Sequence, residues 1–245
     1  MKRRDVILAM ASLLIIWQSA AMLLNRAILP TPLAVLDTFI KAFPQELGGH
    51  FLTSLYRVVA SIVVAVTLAT PLGLILGQSE RLNRIATPFL YLLYPIPKVV
   101  LVPIILLFLG VGDIAKIFII STILFFQVLV LVRDSAARLR PELLLSVRSL
   151  GAGRRALFRF IYLPASLPAI LTAIRQSIGT AVAVLYVAEL FATQKGLGYY
   201  IYLNGSTLFD YPAMYAGVMA MSLLGLGLYF GVDALQHRIC AWMEI

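Results

Sequence analysis

Charge is what this sequence has least of. Asp, Glu, Lys and Arg make up 13% of its 245 residues, whereas 61% are hydrophobic. A soluble domain carries about 25% charged and about 45–50% apolar residues, so a water-soluble globule is excluded. The single cysteine, Cys240, rules out a disulfide within the chain and a thiolate metal cluster. The two histidines, His50 and His237, stand far apart with no second histidine at ligand spacing, so neither marks a metal site. The eleven acids are scattered, and no Asp, His, Cys or Glu constellation forms that could serve a membrane-embedded enzyme. No G-x-x-x-x-G-K-[ST] loop is present. "GQSERLNR" and "GAGRRALFR" lack the second glycine and the lysine at that spacing, so neither reads as a phosphate-binding loop. Tandem repeats and low-complexity linkers are also missing.

What remains is long apolar runs. They are continuous rather than alternating, which argues for helices and against a β-barrel. Six segments have about the 20 residues that a spanning helix needs: 6–25, 52–77, 87–109, 114–132, 168–193 and 213–236. The expected fold is therefore all-α, a polytopic membrane protein of six transmembrane helices in one domain. The start "MKRRDVILAMASLLIIWQSAA" reads either as a signal peptide or as an uncleaved first span. The apolar run continues through Leu24, which favours the span. The third and fourth segments are parted only by a tight turn at Gly110-Val111-Gly112-Asp113. "LPTPLAVLDTFIKAF" (29–43) is too short and polar to cross, and is expected as a surface helix started by Pro30 and Pro32.

The net charge of +9 could suggest nucleic acid, but the basic residues bunch between apolar runs, so membrane orientation explains them and no nucleic-acid partner is expected. Lys2, Arg3, Arg4, Arg81, Arg84, Arg238 and the seven arginines of 133–167 fall on one side. Arg26, Lys41 and Lys195 fall on the other. Thirteen against three places both termini, and the arginine-rich segment, in the cytoplasm.

That segment, "RPELLLSVRSLGAGRRALFRFIYLPASLP", begins at Arg140. Pro141-Glu142 suits a first helical turn, and Gly151 suits a helix C-terminus. "AGRRALFRFIYL" resumes an amphipathic helix that Pro164 and Pro168 are expected to close before the fifth span. The pattern predicts a helix–glycine–helix hairpin with exposed apolar knobs. Composition alone leaves two readings open, a loop lying on lipid phosphates and a docking element for a soluble partner.

The same stretch resembles the cytoplasmic signature of permease subunits of bacterial ATP-binding-cassette importers. Gly151 matches the signature glycine, and Ile161-Tyr162-Leu163-Pro164 matches its ending. The family's Glu-Ala-Ala run is replaced by Leu145-Ser146-Val147. "HFLTSLYRVVASIVVAVTLATPLGLILGQS", "LYPIPKVVLVPIILLFLGVGDIAKI", "AELFATQKGLGYYIY" and "DALQHRICAW" extend the likeness over nearly the whole chain. They resemble the branch that moves nitrate, sulfonates, taurine or thiamine-precursor pyrimidines. The resemblance implies a non-catalytic subunit of type I (MetI-like) architecture in the bacterial inner membrane. It implies a second permease copy, two ATPase subunits that hold ATP and Mg, and a periplasmic or lipid-anchored substrate-binding protein. The implied coupling residues are Glu142, Leu145, Ser146, Arg148, Ser149, Gly151, Ala152, Leu163 and Pro164. An ion-coupled secondary carrier is the competing class, but it would show an inverted repeat and deep charged relays.

Ionisable groups at membrane depth usually face a cavity or each other. Lys98 lies in "YPIPKVVLVP", where Pro95, Pro97 and Pro103 each disturb the helix. Drawn as one helix, this puts Lys98 ~16 Å from Pro88, so the segment is expected to line the path, with Lys98 attracting an anion or paired within the fold. Arg57 and Glu189 both fall ~8–9 Å below the outer surface and are expected to pair, as a helix lock or a gate. Arg175 is expected to snorkel or to line the inner mouth, and Asp233 to pair with Arg238 or His237. The tyrosines after Gly196 and Gly198 suit the membrane interface or a surface for the binding protein.

Overall fold

The computed structural model describes residues 3–139, 141–191 and 193–241, and every regular element among them is a helix. Lys2 and Arg140, both counted in the charge asymmetry, lie outside the described residues. The chain forms two compact units: Met1–Leu55 with Glu189–Leu224, and Tyr56–Ala188 with Gly225–Ile245.

The first unit opens on α1 (Arg3–Leu24), whose apolar window Ile7–Leu24 is exposed almost all round. A helix with apolar residues on every face and little protein cover is one solvated by lipid. Trp17 ties its far end down, donating from Nε1 to the Pro30 carbonyl at 3.1 Å and packing against Tyr215. Thr31 caps α2 (Pro32–Ala42), accepting from the Ala34 amide, with proline in the first turn. The 29–43 stretch is not a separate surface helix, as its length suggested. A π-helical turn, Phe43–Leu47, carries α2 directly into α3 (Gly48–Gln78). Pro44 sits near the start of that turn, and the widened register absorbs its missing donor. The unit closes with α10 (Leu197–Tyr202) and the start of α11 (Tyr211–Ile239), where Asp210 Oδ1 accepts from the Ala213 amide.

The second unit holds the rest of α3, then α4 (Glu80–Leu93), α5 (Val102–Leu109), α6 (Asp113–Ala137), α7 (Pro141–Ser149), α8 (Arg154–Leu157), α9 (Leu163–Leu190) and the end of α11. Its core joins Ala69 and Leu74 of α3, Leu90 of α4, Val128, Leu129, Val132 and Ala136 of α6, and Ile170 and Ala173 of α9. Two glycines set the spacing of α3 and α6. A Cβ on Gly73 would stand 2.9 Å from Val132 Cβ, and one on Gly77 would stand 2.5 Å from the Arg133 carbonyl oxygen. "GLILG" (73–77) is thus a small-xxx-small contact that lets two membrane helices meet at their backbones.

Four expectations change here. The segment 87–109 is not one straight helix: α4 and the Lys98–Leu109 stretch meet at 72°. Arg81 and Arg84 belong to the first turns of α4 rather than to a loop. Pro164 and Pro168 do not close a helix before the fifth span. A π turn, Phe158–Tyr162, leads from α8 into α9 without interruption, and Pro168 lies inside α9. Asp233 is held chiefly by Arg175 through Nη1 and Oδ1, with His237 Nδ1 3.8 Å from Oδ2. Arg175 therefore neither snorkels nor points freely at the inner mouth.

Candidate functional site

Four local constructions carry the residues that the sequence singled out.

The hairpin has its own small core. Leu157, Ile161 and Tyr162 are buried, with Leu139, Val147 and Ala152 packed on them. α7 ends as the glycine predicted: Gly151 takes φ +83°, its amide donates to the Arg148 carbonyl at 2.9 Å, and the Ala152 amide donates to Val147 at 3.4 Å. Ser149 Oγ donates to the Ser146 carbonyl. With Val147 turned inward, the other face is left to solvent. Glu142, Leu145, Ser146, Arg148 and Ser149 are all exposed, Leu145 at 62% and neighbouring Leu150 at 83%. Leu145 on the short α7, and Leu150 just past its end, are thus exposed apolar side chains beside Glu142 and Arg148. Leu163 and Pro164 stand at the start of α9, the rigid continuation of the same strand of chain.

The broken third span is built by its prolines. Pro97 lacks the N–H that would reach the Leu93 carbonyl in an unbroken helix. Lys98 supplies the missing donor: its Nζ donates to the carbonyls of Leu93 at 2.8 Å, Tyr94 at 3.1 Å and Ile96 at 3.3 Å. The ammonium also lies 4.4 Å from the Phe126 ring centroid. A cation on the carbonyl end of α4 is where the helix dipole favours it. The depth estimated for Lys98 along a straight helix therefore does not apply, because the helix stops four residues before it. Beside the break lies a cavity of about 270 Å³ lined by Tyr94, Ile96, Pro97, Lys98, Phe126 and Gln127 among others. The Gln127 Oε1 is buried without a hydrogen-bond partner. Pro103 begins α5, in the first turn, where its missing donor is harmless. Pro95 lines the adjoining apolar cavity with Tyr91 and Tyr94.

Arg57, only 4% exposed, holds the Oδ1 of Asp113 through Nε at 2.8 Å and Nη2 at 2.6 Å. Asp113, which the sequence offered only as a turn residue, is also the first residue of α6, where an acid meets the positive helix end. Lys116, one turn on and 1% exposed, donates to the Val111 carbonyl at 2.8 Å.

Glu189, fully buried in the first unit, accepts from Ser54 Oγ at 2.9 Å and from the Gly198 amide at 2.8 Å. Ser54 Oγ accepts in turn from the Leu197 amide at 2.8 Å, and His50 Nδ1 accepts from the Gly196 amide at 3.0 Å. Gly196 has φ +119°, and a Cβ there would run into the Glu189 carboxylate. Nothing in the pattern around Gly196 and Gly198 had pointed to these partners. The i, i+4 spacing of His50 and Ser54 on one helix face was the available signal.

The comparisons agree on one family. Residues 69–241 match the model of the binding-protein-dependent transport system inner membrane component. The taurine transport system permease protein of Escherichia coli K12 is 30% identical, over 95% of this chain and 87% of its own length. The formylaminopyrimidine transport permease protein of Halalkalibacterium halodurans is 26% identical, over 95% of this chain and 93% of its own. In fold, the chain superposes on an inward-facing MetNI methionine transporter chain with a TM-score of 0.67 at 16% identity, covering 79% of this chain and 95% of that one. The chain thus belongs to the binding-protein-dependent transport system inner membrane components, the non-catalytic, membrane-spanning permeases of ATP-binding-cassette importers.

Proposed function

We propose that this permease passes a small solute, an organic or inorganic anion such as a sulfonate or nitrate, or the zwitterionic sulfonate taurine, from an outer binding protein to the cytoplasm. Two ATPase subunits drive it through the 140–164 segment, and a second copy of the chain completes the path as a homodimer. Both termini and the hairpin face the cytoplasm, which the thirteen-to-three basic asymmetry supports. The observation that carries the reading is the exposed face of α7, Glu142 to Ser149, standing on its own buried core and closed by Gly151. A capped helix of this kind transmits a rigid-body push, whereas a loose loop would absorb it.

We read the break at Pro95, Pro97 and Lys98, with Pro103 at its far end, as part of the path, supported by the cavity beside it. Arg57 and Glu189 are read as charges at the outer end of the path, each buried and hydrogen-bonded. A thiamine-precursor pyrimidine is the second reading, favoured by the formylaminopyrimidine relative.

The test is purification and uptake. Detergent-extracted permease, expressed with its neighbouring genes, is expected to bring down a separate nucleotide-hydrolysing subunit. Reconstituted with the binding protein, it is expected to move labelled taurine or an alkanesulfonate only with ATP. Transport driven by an ion gradient without ATP would overturn the reading.

A further inference from the structure

Three consecutive backbone amides, Gly196, Leu197 and Gly198, are each claimed by a different side chain: His50, Ser54 and Glu189. Successive N–H groups turned to one side usually make a nest for an external anion. Here the protein fills that nest with its own acceptors. The Ser54 hydroxyl has no charge to change, and the Glu189 carboxylate accepts from Ser54 Oγ and from the Gly198 amide. The third arm is different. His50 Nδ1 accepts from the Gly196 amide, which requires a lone pair on Nδ1 and puts the ring proton on Nε2. An imidazolium has no acceptor at all.

We propose that His50, Ser54 and Glu189 form a three-armed latch on the 196–198 backbone, and that protonation of His50 releases the first arm. A second state for the ring is already at hand. Nε2 lies 3.7 Å from Glu46 Oε1, so the imidazolium can turn to that carboxylate and leave Gly196. The other titratable groups around the ring are the Tyr199 and Tyr200 phenols, whose rings lie 6.0 and 5.4 Å from it. Glu189 sits on the opposite arm of the latch, and Lys195 precedes the latched glycine. The sign follows from the hydrogen bond. The latch is whole while His50 is neutral and opens as pH falls through the range in which imidazoles take up a proton. The loop after α9 is therefore a bistable segment whose order depends on the pH of the side it faces.

Hydrogen exchange on the full-length permease in lipid nanodiscs tests this, comparing pH 5.5 with pH 7.5 after correction for intrinsic rates. Protection of the amides 196–198 is expected to fall about tenfold at the lower pH, the loss of one hydrogen bond in a local opening. His50→Gln supplies an acceptor that does not titrate, and is expected to hold the protection equal at both values. His50→Leu is expected to show the same roughly tenfold lower protection at both. Equal protection of the wild type at both pH values would overturn the latch. So would the same tenfold fall in His50→Gln, which would make Glu189 the titrating group.

Discussion

Arg57 closes on Asp113 with two nitrogens on one carboxylate oxygen, 2.6 and 2.8 Å away. The two residues are 56 positions apart, and the contact fixes the first turn of α6 against the middle of α3. Arg57 is buried while the Asp113 side chain is 47% exposed, so the two partners are not equivalent. Losing Asp113 leaves a buried guanidinium short of an acceptor; losing Arg57 leaves a carboxylate that water can reach. Asp113→Ala is expected to cost about 1–3 kcal/mol, seen as a lower melting temperature of the detergent-solubilised protein. Asp113→Glu should restore part of it. An unchanged melting temperature in Asp113→Ala would contradict this role.

The α3–α6 contact makes a sharper prediction about packing. At Gly77 a new Cβ meets backbone and the Ala136 methyl at 2.5–2.6 Å, neither of which can swing aside. Gly77→Val is expected to cost about 2–4 kcal/mol, and Gly73→Ala about 1–3 kcal/mol. Thermal unfolding in detergent measures both, and Gly49→Ala, where a Cβ meets nothing within 4 Å, is the control expected to stay near zero.

Lys98 divides a capping role from a general electrostatic one. Its three donors meet three carbonyls at the end of α4. Lys98→Met strands those oxygens, each at about 1–3 kcal/mol where water does not reach. Uptake is expected to drop at least about tenfold in Lys98→Met, with ATPase binding unchanged. Lys98→Arg is expected to retain most of it. Wild-type uptake by Lys98→Met would remove the residue from the path.

Much of this was legible in the sequence, and the exceptions share a cause. Apolar length found the candidate crossing segments, five long apolar helices and the bent pair Glu80–Leu93 with Lys98–Leu109. Gly151 was readable as a helix end because only its backbone conformation matters there. The prolines misled. Pro164 and Pro168 read as boundaries, yet both sit inside α9, Pro164 two residues past the π turn that joins it to α8. Pro97 did break the helix, and the lysine next to it turned out to be the repair. Asp113 beside Arg57, Asp233 beside Arg175 and the Gly196 amide beside His50 were beyond reach for another reason. Depth narrows the candidates for a buried charge but does not choose among them; the choice belongs to the rotation of each helix about its axis. "GLILG" was visible throughout as a glycine pair, and its meaning came only with α6 against it.

Cys240 provides a practical prediction. The thiol is 4% exposed, and burial raises its pKa by disfavouring the thiolate. The thiolate is the reactive form, so a raised pKa leaves less of it at any given pH. Maleimide labelling of the native protein at pH 7.5 is therefore expected to be slow, and to climb only above the usual thiol range of about 8.5. Labelling in SDS should be complete. Rapid native labelling would show the thiol to be open.

That quiet background makes the decisive measurement clean. Leu145→Cys and Ser149→Cys place a new thiol on the exposed face of α7 without touching its core. In membranes containing the assembled transporter, a short thiol cross-linker at either position is expected to join the permease to a nucleotide-hydrolysing subunit, and a cysteine at the inward-facing, half-buried Val147 is not. Capture of no such subunit from 145 or 149, or labelling of those positions only from the outer side of sealed cells, would contradict the account.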